Sequence, residues 1–304
     1  MKRVIVSGAT SMVGSALIRL LISKGIKVLA LYHSSTKKFA NIPSSELVKL
    51  HPCAADEFDK LVAEDKPYDV FFHFAWSGTY GDARNDFALQ KLNVKYAKDA
   101  ANAAARLGCT CFVGAGSQAE YGPVEFGVKL SPLTKTHPLT AYGQSKLEAM
   151  FQTRDVAIKT GMRHIWMRIL SVYGPNDNDF TAVMQLIRKL KAGEHISLTK
   201  GEQIWDYLYC ADAAQAFYLA ARFGKANAVY VLGSGQCAPL RKYFEEIRDI
   251  CAPEAKLGFG EIPYSESAVM YLCADISDLR ADTAFEPQVP FRDGILNILK
   301  GFST

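Results

Sequence analysis

Through the first 170 residues, short apolar runs alternate with longer stretches in which apolar positions recur every three or four residues. The runs fall at 4–6, 28–31, 47–50, 70–74, 111–113 and 165–170, and the helical stretches at 12–24, 56–64, 85–107 and 140–160. Strands alternating with helices predict a parallel sheet covered by helices on both faces. The runs are apolar throughout, as expected for strands buried on both sides. Beyond Tyr173-Gly174-Pro175 the rhythm loosens, and helical patterns at 180–191, 211–223, 241–251 and 291–301 are separated by longer loops. No Pro/Gly/Ser-rich linker marks a boundary there, and no repeat or low-complexity segment occurs.

The first strand runs into Ser7-Gly8-Ala9-Thr10-Ser11-Met12-Val13-Gly14 and then into a helix. A strand, a turn of small residues and a helix N-terminus form the order that a pyrophosphate needs, because backbone N–H groups and the helix dipole favour an anion there. Gly8 is expected to allow the turn and Gly14 to let the helix pack close. Ser11 stands where a second glycine is usual, with a hydroxyl able to donate to a phosphate. The fold class expected is α/β, a Rossmann-type doubly wound parallel sheet. Residues 1–172 are read as its dinucleotide-binding domain and 173–304 as a smaller substrate-binding α/β lobe, not independent, with segments that can cross back to the sheet. The second strand ends in His33-Ser34-Ser35-Thr36-Lys37-Lys38 with no acidic residue until Glu46. An acid at that place would hold a ribose diol. Hydroxyls followed by lysines suit a 2′-phosphate, so NADP(H) is expected, with NAD(H) left open.

Composition changes this picture little. The 304 residues are 49% hydrophobic and 22% charged with a net charge of +4, the balance of an ordinary globular protein without a basic patch for nucleic acid. No apolar stretch is long enough to span a membrane, and the chain opens on a strand with no leader, so a cytoplasmic location is expected. The seven cysteines are unpatterned and read as free thiols of a reducing compartment. Cys109 and Cys111 would share one face of a strand as small buried hydrophobes, and no metal site is expected.

The chemistry is carried by Tyr142 and Lys146. Four residues apart at the start of a predicted helix capped by Thr140, they share a face. A lysine ammonium beside a phenol stabilises the phenolate and lets the tyrosine move protons near neutral pH. With 14 tyrosines among 304 residues the spacing has no weight by itself. Its position gives it weight. Ser117 ends the fifth strand, at the carboxyl edge where this architecture binds ligands, and can meet Tyr142 on one substrate oxygen; read alone, it is equally a turn hydroxyl bonded to its own backbone.

Taken in order, the segment from Ser7 to Gly14, Asp69-Val70-Phe71-Phe72-His73-Phe74-Ala75, Asn93-Val94, the segment from Gly116 to Gly122, Tyr142 to Lys146, Arg168 to Pro175, Asp206 to Asp212 and Asp275 to Leu279 resemble an extended short-chain dehydrogenase/reductase of the NAD-dependent epimerase/dehydratase group, which modifies nucleotide-linked sugars. The resemblance implies a triad: Ser117 polarising the sugar oxygen, Tyr142 as acid/base, and Lys146 on the nicotinamide ribose while lowering the Tyr142 pKa. It further implies that Gly8, Thr10, Ser11, Met12, Val13, Gly14, His33, Ser34, Ser35, Lys37, Phe74, Ala75, Trp76 and Asn93 lie at the cofactor, and that Trp76, Thr79 and Tyr80 border the sugar. The departures narrow the chemistry. Family dehydratases carry an acidic pair after the serine or threonine; here Gln118 and Ala119 stand there, and neither acts as a carboxylic acid. Ser171 replaces a frequent Asn. Trp205 replaces the arginine that often grips the diphosphate; it either stacks on a sugar or base or packs between the lobes. Arg84, Lys200 and Arg280 are substitute anion grips, or simply surface charges.

The expected function is NADP(H)-dependent reduction of a nucleotide-linked 4-keto-6-deoxyhexose. An NAD-dependent 4-epimerase using the same triad is the alternative, and a non-catalytic NADP sensor or a non-sugar carbonyl reductase stand behind it. By analogy with the family, a homodimer through the helices at 85–107 and 140–160 is expected.

Overall fold

The computed structural model describes residues 1–265 and 268–301. Six strands follow the predicted runs: β1 (Arg3–Ser7), β2 (Lys27–Tyr32), β3 (Val48–Pro52), β4 (Val70–His73), β5 (Cys111–Ser117) and β6 (Arg163–Ile169). A seventh, Ala228–Leu232, joins β6 from the C-terminal part of the chain. The order is β3-β2-β1-β4-β5-β6 and then the seventh strand, with every neighbour parallel. The chain therefore crosses back into the sheet after residue 172, and the division between the two parts is spatial rather than a cut in the sequence.

Side chains sort onto the two faces by the two-residue period of a strand. Val4, Val6, Val28, Ala30, Phe72 and Val113 join one core, while Ile5, Leu29, Leu31, Phe71 and Phe112 join the other. Helices α1 (Met12–Ser23) and, later, α5 (Cys210–Phe223) cover the first face; α2 (Phe87–Arg106) and α3 (Ala141–Thr160) cover the second. Between α3 and α5 lies α4 (Ala182–Ala192), and α6 (Leu240–Cys251), α7 (Ser277–Thr283) and α8 (Phe291–Lys300) follow the seventh strand. Ser11, Asp86 and Thr140 each cap the helix that follows by accepting a first-turn N–H.

Four expectations are corrected. The helix expected at 56–64 is a 3₁₀ turn, Ala55–Lys60. In a 3₁₀ turn residues i and i+3 eclipse, so Phe58 and Leu61 drop into the core together, where Phe58 meets Phe71 edge-on at 6.4 Å. Strand β3 is only partly buried because it is the sheet edge. Cys109 precedes β5 instead of lying in it, and Cys109 and Cys111 enter opposite cores. Finally, Cys237 and Cys273 are not free but paired in a disulfide, with Cα atoms 5.7 Å apart. Asp206 brings their segments together, accepting from Ser234 and Gly235 on one and from Ala274 on the other. No described helix is long and apolar enough to cross a membrane, and no described cluster of His, Cys, Asp and Glu is arranged to hold a metal.

Candidate active site

At the carboxyl end of β1 the loop turns through Gly8, whose φ of +68° is left-handed. A Cβ there would also lie 2.8 Å from the backbone of Phe74 and Ala75, so the loop presses directly on the end of β4. At Gly14 a Cβ would come within 2.5 Å of the Gly8 carbonyl oxygen, which makes its close contact one with the loop. Ser11 is the N-cap: its Oγ accepts the Gly14 N–H at 3.0 Å, leaving the hydroxyl proton free to donate. The N–H groups of Met12 and Val13 begin the helix and have no carbonyl one turn behind them. Thr10 is anchored through its carbonyl by Asn41 Nδ2 at 2.9 Å. This is an anion cradle of backbone donors at a helix end, and it fits a dinucleotide pyrophosphate. His33, Ser34, Ser35 and Lys37 stand exposed beyond β2, while the neighbouring Lys38 donates to Asn178 Oδ1 at 2.6 Å.

The predicted triad converges. Ser117 and Tyr142 are buried neighbours, and Ser117 lies close enough to favour the Tyr142 phenolate through a side-chain hydrogen bond. Ser117 Oγ also accepts the Ala119 N–H at 3.2 Å, so the two readings of this serine hold together. Lys146 departs from expectation. Its Nζ donates to the Ala115 carbonyl at 2.8 Å and lies 3.7 Å from the centre of the Trp76 ring, but 5.9 Å from that of Tyr142. Burial brings its pKa down to about 7, opposed by Glu120. Burial pushes the Tyr142 phenol above its ordinary value; Ser117 and then Arg84 pull it back, and Glu120 adds to the rise. Arg84 is thus a second cation at the phenol besides Lys146. Its guanidinium carbon sits 4.8 Å from the ring centre.

Two side chains not singled out from the sequence build this geometry. Glu120 is fully buried, accepting from Ser117 N at 2.8 Å and Trp166 Nε1 at 2.9 Å on one oxygen and from Arg168 Nε at 2.7 Å on the other. Ser117 and Glu120 thus cap one turn reciprocally. The S-x-x-E spacing of a capping box was the signal available for it. Gln90, also fully buried, accepts from Trp76 Nε1 and donates to the carbonyls of Gly78 and Ala83, all at 2.9 Å. It clamps the segment from Trp76 to Arg84. Asn93 exchanges hydrogen bonds with the backbone of Ser77 and joins this clamp.

A cavity of about 580 Å³ opens beside the triad, lined by Arg84, Gln118, Ala119, Thr140, Phe126 and Tyr271 among others. Phe74 packs on Phe217, and Ala75 N reaches Ser7 Oγ at 3.4 Å, which places both at the cofactor loop. Thr79 is exposed next to Tyr80, whose ring stacks on Phe180 at 3.8 Å and joins the β4–α2 loop to the segment before α4. Trp205 donates to Ser171 Oγ at 2.8 Å, so these two departures from the family pattern are bonded to each other. Lys200 and Arg280 line no part of this cavity. Arg280 is paired with Glu286 at 2.5 Å beside a separate cavity of about 150 Å³, and Lys200 is exposed just after the strand Ile196–Leu198.

Residues 4–233 match the model of the NAD dependent epimerase/dehydratase family. Among characterised proteins, CDP-abequose synthase of Salmonella typhimurium is 24% identical, covering 98% of this chain and 97% of that protein. UDP-glucose 4-epimerase of Azospirillum brasilense is 24% identical over 97% of this chain and 90% of its own. The dTDP-4-dehydro-6-deoxyglucose reductase of Escherichia coli is 26% identical over 54% and 52%. Among solved structures, UDP-glucose 4-epimerase from Thermotoga maritima superposes with a TM-score of 0.87 at 20% identity, covering 99% of this chain and 98% of that one. RMD from Pseudomonas aeruginosa, complexed with NADPH, gives 0.80 at 20% identity over 100% of both. With the fold and the extent of the family match in agreement, the chain belongs to the NAD dependent epimerase/dehydratase family and is an enzyme of the extended short-chain dehydrogenase/reductases.

Proposed function

We propose that the protein reduces a nucleotide-linked 4-keto-6-deoxyhexose, with NADP(H) as its preferred nicotinamide dinucleotide. The observation that carries this reading is the meeting of Ser117 and Tyr142 beside a cavity whose wall holds Gln118 and Ala119 where a dehydratase would need acids. The nearby carboxylate, Glu120, is sealed behind Ser117 by three donors, one of them the Arg168 guanidinium, which leaves it unable to take up water or a substrate proton. When bound, the nicotinamide dinucleotide supplies the hydride. The protein's own part is positional and protonic. Ser117 holds the C4 oxygen, Tyr142 gives it a proton, and Lys146 is placed at the inner wall of the cleft beside Trp76. The cradle at Gly8 to Gly14 would hold the pyrophosphate, and Ser34, Ser35 and Lys37 would take the 2′-phosphate.

The near full-length likeness to a 4-epimerase supports a second reading, in which the same residues return the proton and the sugar leaves inverted at C4. Cofactor behaviour separates the two. CDP-, dTDP-, GDP- and UDP-linked 4-keto sugars are offered with NADPH and with NADH, and the parent UDP-hexoses with neither. Stoichiometric loss of NADPH with a 4-keto sugar is expected. Interconversion of UDP-hexoses without added nucleotide and without net absorbance change would overturn the reductase reading. Tyr142→Phe is expected to lower kcat by about 10²–10⁴-fold while leaving NADPH binding intact, the loss typical of a removed acid/base group. A homodimer through α2 and α3 belongs to the same proposal and is read from the mass in solution.

A further inference from the structure

We propose that Trp76 is a positioning residue for the Tyr142–Lys146 pair: its indole face holds the Lys146 side chain as the ammonium, beside the phenol on which that charge acts. The inference rests on the proposed reading in assigning the acid/base role to Tyr142. Lys146 Nζ lies 3.7 Å from the centre of the Trp76 ring, well inside the distance at which an aromatic face attracts a cation. The same indole stands perpendicular to the Tyr142 ring at 6.2 Å, so one side chain adjoins both members of the pair. Its orientation is fixed. Nε1 donates to Gln90 Oε1 at 2.9 Å, and Gln90 is itself anchored to the carbonyls of Gly78 and Ala83. Asn93 ties the backbone of the next residue, Ser77, to α2 in both directions. The body of the indole packs against the small core of Val94, Ala97, Ala149, Met150 and Trp166.

An aromatic face suits this place for a physical reason. Lys146 is buried, and among the described residues the Ala115 carbonyl from β5 takes one of its three N–H donors. Burial presses the ammonium to give up its proton near neutrality, at about 7. Glu120, from the turn after β5, favours the ammonium, but its charge is shared with Arg168 and opposes ionisation of Tyr142. His73, at the end of β4, is held neutral by burial and by Lys146 itself. Behind the indole, α2 presents the neutral amides of Gln90 and Asn93. Tyr142 is the titratable neighbour on α3, and Arg84, from the turn Gly81–Asn85, adds its charge over that ring. A carboxylate in place of Trp76 would hold the ammonium charged and cancel its field at the phenol. The neutral indole stabilises the cation, leaves that field acting on Tyr142 and consumes none of the N–H donors.

The test dims the indole face without changing its shape. Tryptophans of rising fluorine content are introduced at residue 76 alone, and Trp76→Phe is made alongside. Lysine is isotope-labelled at Cε, the resonance missing from Lys146→Met identifies Lys146, and its chemical shift is followed with pH. The Lys146 midpoint is expected to fall stepwise with fluorine content, by about one unit across the series, a tenfold loss of ammonium at a given pH above the midpoint. Trp76→Phe should fall within that range. The alkaline limb of kcat/KM, where Lys146 loses its charge, should move down by the same amount. A midpoint that ignores fluorine content, while the Kd for NADPH or the KM for the nucleotide sugar rises, would make Trp76 a ligand contact and overturn the proposal. So would a loss confined to thermal stability. A wild-type protein that turns over no nucleotide sugar, yet shows the fluorine-dependent titration, would refute the proposed substrate while upholding the role of Trp76.

Discussion

Breaking the ion pair under Ser117 should destabilise the fold far more than its single contact implies. Glu120 and Arg168 side chains are 0% and 4% exposed, with Arg168 Nε 2.7 Å from Glu120 Oε2. In Arg168→Met the Glu120 carboxylate keeps its two N–H donors, Ser117 and Trp166, but loses its counterion in a site that water does not reach. Uncompensated buried charge of this kind costs about 3–5 kcal/mol. Glu120→Gln strands the guanidinium in the same way and turns an amide donor toward it. The double substitution removes both charges, so its cost should fall short of the sum of the singles by more than about 1 kcal/mol. Urea unfolding followed by circular dichroism and tryptophan fluorescence measures each cost from the shift in midpoint. A loss under about 1 kcal/mol in Arg168→Met, or strict additivity in the cycle, would refute the reasoning and leave the pair a bystander. Because Glu120 also holds the Ser117 N–H, kcat should fall in the single variants even at temperatures where they remain folded.

Other consequences are as direct. Burial brings the folded Lys146 pKa to about 7 against an ordinary 10.5; the unfolded chain therefore binds the extra proton across that window, and the Lys146 contribution to stability should rise with pH from about 7 to about 10 by a few kcal/mol, read as the difference between wild type and Lys146→Met in urea titrations at stepped pH, since the buried thiols contribute the opposite slope above about 9 to both proteins. At Gly116 a Cβ would stand 2.3 Å from Trp166 Nε1 and 2.6 Å from Glu120 Oε1, so Gly116→Ala should cost about 1–3 kcal/mol by overpacking and lower kcat by moving Ser117; near-wild-type melting and activity would contradict this. Ser11→Ala removes the α1 cap, with an expected loss of about 1 kcal/mol and weaker dinucleotide binding by fluorescence titration; tighter binding would argue against Ser11 facing the phosphates.

The parts of the fold legible in the sequence are those that obey a local rule. Strand and helix positions through residue 170 followed from periodicity, and the caps Ser11 and Thr140 from their side chains. Residues 56–64 misled because a few apolar positions three apart suit a 3₁₀ turn as well as a helix. The site divides in the same way. Ser117, Tyr142 and Lys146 were legible because position on a sheet edge and a helix start gave them meaning. The direction of the Lys146 side chain was not, since spacing places two residues on one face without saying which carbonyl or ring the longer one prefers. Gln90 was invisible because its role depends on a loop folding back twelve residues to meet it. The pairing of Cys237 with Cys273 depends on Asp206, which lies in neither segment.

The strand Ala228–Leu232 is synthesised only after residues 173–227, yet it pairs with β6. A ribosome that has released the chain through β6 therefore exposes a long strand edge that stays open until some sixty further residues emerge. The segment between the two strands is, topologically, an excursion from one sheet edge and back. Its ends are fixed by the sheet, and α5 within it packs back onto the first face. A laboratory graft bordered by Ile169 and Ala228 would therefore exchange α4 and α5 while leaving the cavity wall untouched, because its lining residues lie before Ile169 and after Ala228.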